Sequence, residues 1–106
     1  MWYVNGSNLQ MAEGDFGIGL PVTIKGTEIE AGDSLKFTFK NKKNGTVILE
    51  KVYRDIVDNT VELEFTEEQS SQFTVGSYVY SLDWFQNDSF MCNIILDSIF
   101  KVVDKA

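Results

Sequence analysis

The 106-residue chain contains no histidine, one cysteine, one proline and only nine basic residues. Each shortage closes off some chemistry. Without His, the commonest general base and the commonest metal ligand are missing. Neither a Ser-His-Asp nor a Cys-His nucleophile system can be built. Cys92, being alone, makes neither an intrachain disulfide nor a cysteine-based zinc site. No apolar run approaches the ~18 residues of a transmembrane helix. The opening "MWYVNGSNLQ" lacks the basic and long apolar segments of a secretory signal, so folding in a cytoplasm is expected. Against nine basic residues stand 16 acidic ones, for a net charge of −7. The one basic cluster, Lys40 with Lys42 and Lys43, surrounds an Asn-Gly turn and reads as a solvated hairpin tip. Phosphate backbones need clustered Lys and Arg, so neither nucleic acid nor a membrane surface is an expected partner.

What the chain does have is apolar and aromatic: 43% hydrophobic residues and 13% Phe, Trp and Tyr. That suits a single domain over residues 1–106, long enough to bury roughly two-thirds of its unfolded surface. Period-2 patterns dominate. "SLKFTFK" sets Leu35, Phe37 and Phe39 against Ser34, Lys36, Thr38 and Lys40, as in a half-buried strand. Asn44-Gly45 predicts a tight hairpin into the return strand "VILEKVY". After the connection "RDIVDN", "TVELEF" alternates again. In "TEEQSSQF", Thr66 and Gln69 form a capping-box spacing, which predicts one short helical turn near residues 67–73. "SYVYSLDWF", the turn "QNDS", "FMCNIIL" and "SIFKVV" complete the series. Pro21 marks "FGIGLPVTI" as an edge or irregular strand. Residues 1–11, with Asn5-Gly6 at their centre, are an N-terminal arm or a small hairpin. Short strands punctuated by turns predict an all-β, immunoglobulin-like antiparallel sandwich of about seven or eight strands.

"FTVGSYVYSLDWF" is the densest aromatic stretch. A capped turn, then Gly76-x-Tyr78, matches the corner at which an immunoglobulin-like strand begins and a Tyr hydroxyl bonds back to the connecting backbone. Tyr80 then falls where antibody domains place a core cysteine. Tyr78, Tyr80, Leu82 and Trp84 share one face; Ser81 and Asp83 mark the other as wet, which turns the stripe inward. A ligand-stacking platform is the competing interpretation. Other signals are weaker. The glycines of "EGDFGIG" are in the wrong order for a dinucleotide site and read as turn residues. Asp55, Asp58 and Asn59 offer calcium-type oxygens without a calcium-loop pattern. No carboxylate pair stands out among 16 acids. The sequons at Asn5, Asn44 and Asn87 read as turn chemistry, and Cys92 as a small buried hydrophobe. No enzyme activity, metal or cofactor is expected.

"EGD-F-G-I" at 13–18, "AGD-S-L-K-F" at 31–37, "LEFTEEQSSQFTVGSYVYSLDW" and a closing "IILDSIFKVV" form an ordered series from about residue 9 to 103. That series resembles the N-terminal domain of the phage baseplate upper protein family, among the small tail and baseplate proteins of phages and prophages of Gram-positive bacteria. Met11 to Asp15, Gly32-Asp33, Thr66, Gly76, Tyr78, Tyr80 and Asp83 occupy the places of its short motifs. The resemblance implies a non-enzymatic structural module with an immunoglobulin-like fold. It further implies assembly in the bacterial host cytoplasm into a virion tail, with partners that are other tail or baseplate proteins or further copies of this chain. Trp2, Tyr3 and Val4 are the candidate interface, by strand addition. The rival expectation is a carbohydrate- or surface-binding sandwich using exposed aromatics at Trp2, Tyr3 and Phe90.

Overall fold

The computed structural model describes residues 2–104. Eight strands and one helical turn follow in order: β1 (Tyr3–Asn5), β2 (Asn8–Ala12), β3 (Leu20–Thr23), β4 (Asp33–Lys40), β5 (Val47–Tyr53), β6 (Thr60–Leu63), α1 (Glu67–Ser70), β7 (Gly76–Gln86) and β8 (Ser89–Val103). They form a sandwich of unequal layers. A six-stranded sheet runs β1-β2-β8-β7-β4-β5, and a two-stranded sheet pairs β3 with β6. The two sheets face each other as an all-β sandwich. One pairing departs from the antiparallel expectation: β2 runs parallel to β8, Leu9 opposite Phe100 and Met11 opposite Val102, so the long sheet is mixed.

The alternation in β4 decides the layering. Leu35, Phe37 and Phe39 are buried against the small layer, while Lys36 and Lys40 stay half-exposed on the outer face. Leu9 and Met11 from β2, Tyr80 and Leu82 from β7, and Phe100 and Val102 from β8 join them. Val61 and Leu63 of β6, together with Ile24, Phe65 and Phe73, close the core from the other side. Its centre is aromatic. Phe39 meets Phe100 edge-on at 5.1 Å, Phe65 at 5.4 Å and Phe73 at 5.7 Å between ring centroids, and stacks on Tyr80 at 5.8 Å. Edge-to-face and offset contacts of this kind add about 0.5–1.5 kcal/mol per pair beyond burial.

Local chemistry sets the turns. Thr66 caps α1 in a complete capping box: its Oγ1 accepts the Gln69 amide, and the Gln69 Oε1 accepts the Thr66 amide. Asn87 and Asp88, both at positive φ, make the two-residue β7–β8 turn. The β4–β5 connection differs from the expected tight Asn-Gly turn. It spans residues 41–46, and only Asn44 takes positive φ (59°). "FMCNIIL" and "SIFKVV" likewise do not make two strands. They run on as β8, which accommodates register shifts against β7 and a positive φ at Asp97 instead of breaking.

Candidate functional site

The corner forms around Tyr78. Its hydroxyl donates to the Thr74 carbonyl at 2.8 Å and accepts the Thr74 amide at 3.1 Å, within the connection that leaves α1. The ring lies edge-on against Phe73 at 5.1 Å and is half-buried, not fully buried. Gly76 starts β7, opposite Val102. Because the hydroxyl remains open to water, Tyr78→Phe is expected to lower stability by about 0.5–1.5 kcal/mol, the range for an ordinary net hydrogen bond. Urea denaturation of both proteins checks this, and an unchanged midpoint would deny the bond any structural weight.

The stripe of β7 points into the sandwich. Tyr80 is 2% exposed and Leu82 fully enclosed. Trp84 is half-buried, and its Nε1 donates to Asp33 Oδ2 at 3.1 Å. That carboxylate, itself buried, also accepts the Glu30 amide; its Oδ1 has no protein partner among the described residues. Tyr80 reaches across to donate its hydroxyl to the Ser7 carbonyl, tying β7 to the β1–β2 turn. Burial pushes the Tyr80 phenol up to about 12 from the usual 10. The folded state therefore favours the neutral phenol. Its contribution is complete below pH ~10, where the unfolded chain begins to ionise, and is lost as pH rises through about 12. Stability should fall across that window in the wild type and fall less in Tyr80→Phe, followed by chemical denaturation at each pH.

The candidate N-terminal interface divides. Tyr3 and Val4 are exposed on β1, an edge strand of the long sheet. Trp2 instead packs on the core, against Phe65 at 5.7 Å and Phe100 at 6.0 Å, with its Nε1 donating to the Ile18 carbonyl. Of residues 1–11, the described ones are no loose arm: residues 3–12 are a hairpin whose second strand is core, with Leu9 and Met11 enclosed, and Met1 lies outside the described residues. Below Val4, a cleft of about 140 Å³ opens between β1–β2 and β3, lined by Leu9, Leu20, Val22 and Ile95. Phe90 lies at the far end of β8 and packs edge-on against Phe85 at 5.7 Å. Tyr3 sits beside Gln10 and hence Lys101, eleven positions along β8 from Phe90, or about 35 Å. The three aromatics do not share one platform.

Three weaker sequence signals find their places. Gly14 and Gly17 adopt positive φ in the loop before β3. Asn59 spends its side chain on the β3–β4 connection, accepting the Ile29 amide and donating to the Ile24 and Thr27 carbonyls, which takes it out of any cation set with Asp55 and Asp58. Cys92 is exposed, contrary to the buried position expected from alternation. Residues 89–93 are all exposed, because this end of β8 extends beyond the small layer. Among the described residues no cluster of three or more Cys, Asp or Glu is placed to hold a metal ion. No helix there is long and apolar enough to cross a membrane.

Alternation alone does not reveal the outer face of the long sheet. Val52, Ile99, Phe90 and Tyr3 are exposed on it, opposite the core. The signal was present in "SIFKVV": Ile99 and Phe100 are both large and apolar, so the two faces of β8 both carry hydrophobes. Charge is also divided by layer. Glu28 and Glu30 before β4, Asp55 and Asp58 after β5, Glu62 and Glu64 on and just beyond β6, and Glu67 and Glu68 on α1 are all exposed. Only Lys25 opposes them in segments 20–31 and 55–70, whose net charge is therefore −7, that of the whole chain. The outer face instead carries both signs, with Lys36 paired to Glu50 and Arg54 to Asp88, each at 3.2 Å, and Lys40, Asp83 and Lys101 beside them. No known family, curated protein or solved structure matches the chain.

Proposed function

We propose that this protein is a non-enzymatic structural module that works through protein–protein assembly in a phage or prophage tail or baseplate. The observation that carries the assembly role is the second apolar surface. The six-stranded sheet buries most of one face and still presents Val52, Ile99, Phe90 and Tyr3 on the other, beside the exposed edge strand β1. These side chains are spread along the face, so a partner that covers them has to cover the sheet surface as a whole. Open sheet edges offer backbone groups to a neighbouring strand. The tail setting is supported by the ordered sequence motifs, with Gly32-Asp33 opening β4, Thr66 capping α1 and Gly76-x-Tyr78-x-Tyr80 opening β7. In that setting the protein is made in the bacterial cytoplasm and ends in the virion.

The test is independent of how the module associates. Phage particles induced from the source strain and purified by density gradient are expected to contain this chain in fixed ratio to the major tail protein, measured by quantitative mass spectrometry. Its absence from intact particles would remove the tail reading.

A further inference from the structure

Resting on the assembly role above, the partner can be made specific. We propose that a second copy of this chain packs against the outer face of the six-stranded sheet, outer face to outer face about a two-fold axis. Charge selects this face. Segments in and around the small layer sum to −7, whereas the outer face carries both signs, Lys36, Lys40, Arg54 and Lys101 against Glu50, Asp83 and Asp88, with ion pairs at Lys36–Glu50 and Arg54–Asp88. Two copies meeting through their small layers would bring eight carboxylates against eight. Meeting through the outer faces turns those layers away from each other. With sheets about 10 Å apart at each of three successive contacts, the acidic layers end about 30 Å apart, several times the ~8 Å screening length at physiological salt.

The area is also sufficient. Six strands at about 4.8 Å spacing, with β4 and β7 running 8 and 11 residues, make a face of about 24 by 30 Å. Side-chain relief brings this to the ~800 Å² per partner of a stable interface. Ile99, 48% exposed, pairs laterally with Val79, which lies beside Lys40 on β4. That puts an apolar pair on the two central strands, level with the end of β4, with Val52 four residues further along the face at the β5 edge. A two-fold axis makes each of these meet its own copy or a near neighbour.

Sedimentation equilibrium of the full chain tests the proposal with two variants. Ile99→Glu places a charge in the proposed contact. Val57→Glu removes an apolar side chain that is 70% exposed in the β5–β6 connection, beside the acidic layer. The wild type is expected to dimerise, Ile99→Glu to weaken the dimer roughly tenfold or more, and Val57→Glu to leave it unchanged. Should Ile99→Glu fail to fold by circular dichroism, Val52→Glu on the same face replaces it. A dimer that withstands both outer-face variants, or that Val57→Glu weakens equally, overturns the proposal. A wild type monomeric at every protein and salt concentration, yet present in purified particles, also overturns it while leaving the assembly role standing. Absence from particles, by contrast, strikes at that role itself.

Discussion

A chain lacking residues 1–11 is expected not to fold. The deletion removes Leu9, at 6% exposure, and Met11, at 1%, along with Trp2 and its ring contacts. Each large apolar side chain contributes about 1.5–3 kcal/mol by burial. Three of them approach the whole 5–15 kcal/mol that holds a typical domain together. The loss does not stop there. Phe100 and Val102 of β8 would face water where Leu9 and Met11 now run parallel to them, and the Tyr80 hydroxyl would lose the Ser7 carbonyl. Circular dichroism and amide proton dispersion of the truncated chain measure the outcome. A cooperatively folded product would show that β2 is not integral to the sheet. Tyr3→Ser and Val4→Ser, both at exposed positions on β1, should by contrast leave folding intact. They are thus the variants with which to probe the N-terminal edge.

Phe39→Ala is expected to cost about 3–5 kcal/mol, the range for removing a phenyl ring from a closed core. The upper part of that range applies, because the ring is fully enclosed and its neighbours come from two strands and two connections: Tyr80 on β7, Phe100 on β8, and Phe65 and Phe73 on either side of α1. Those neighbours belong to both layers, so none can slide in to fill the gap without pulling its own strand or turn. Urea denaturation should show the midpoint falling steeply with little change in slope. A loss below about 1.5 kcal/mol would mean that the layers close over the vacancy, and that the ring cluster is looser than its 5.1–5.8 Å spacings indicate.

Much of this structure depends on chemistry within a few residues, and such chemistry is legible in sequence. The alternation of Leu35, Phe37 and Phe39 marks a strand and its buried face because side chains on a strand point to opposite sides by geometry alone. Thr66 and Gln69 satisfy each other's backbone amides three residues apart, so their short helix is readable without its surroundings. Tyr78 reaches back only four residues to Thr74, and the corner is correspondingly visible. The all-β sandwich follows from the sum of such local signals.

Partnership between distant segments is what only the tertiary structure decided. Period 2 says which face of a strand is apolar but not which strand lies beside it. The parallel pairing of β2 with β8, joining residues about ninety positions apart, therefore has no local signature. Trp2 could equally have been an exposed anchor until Phe65 and Phe100 supplied a place for its ring. Cys92 alternates into a strand yet is exposed, because burial requires a second layer above the strand, and the small layer does not reach that end of β8. The charge is the largest such case. Sequence determined the total of −7, while folding brought segments 20–31 and 55–70, which sum to −7, together around one layer, and left the opposite sheet face with charges of both signs. A sum over residues carries no positions, and electrostatic repulsion between copies depends on positions.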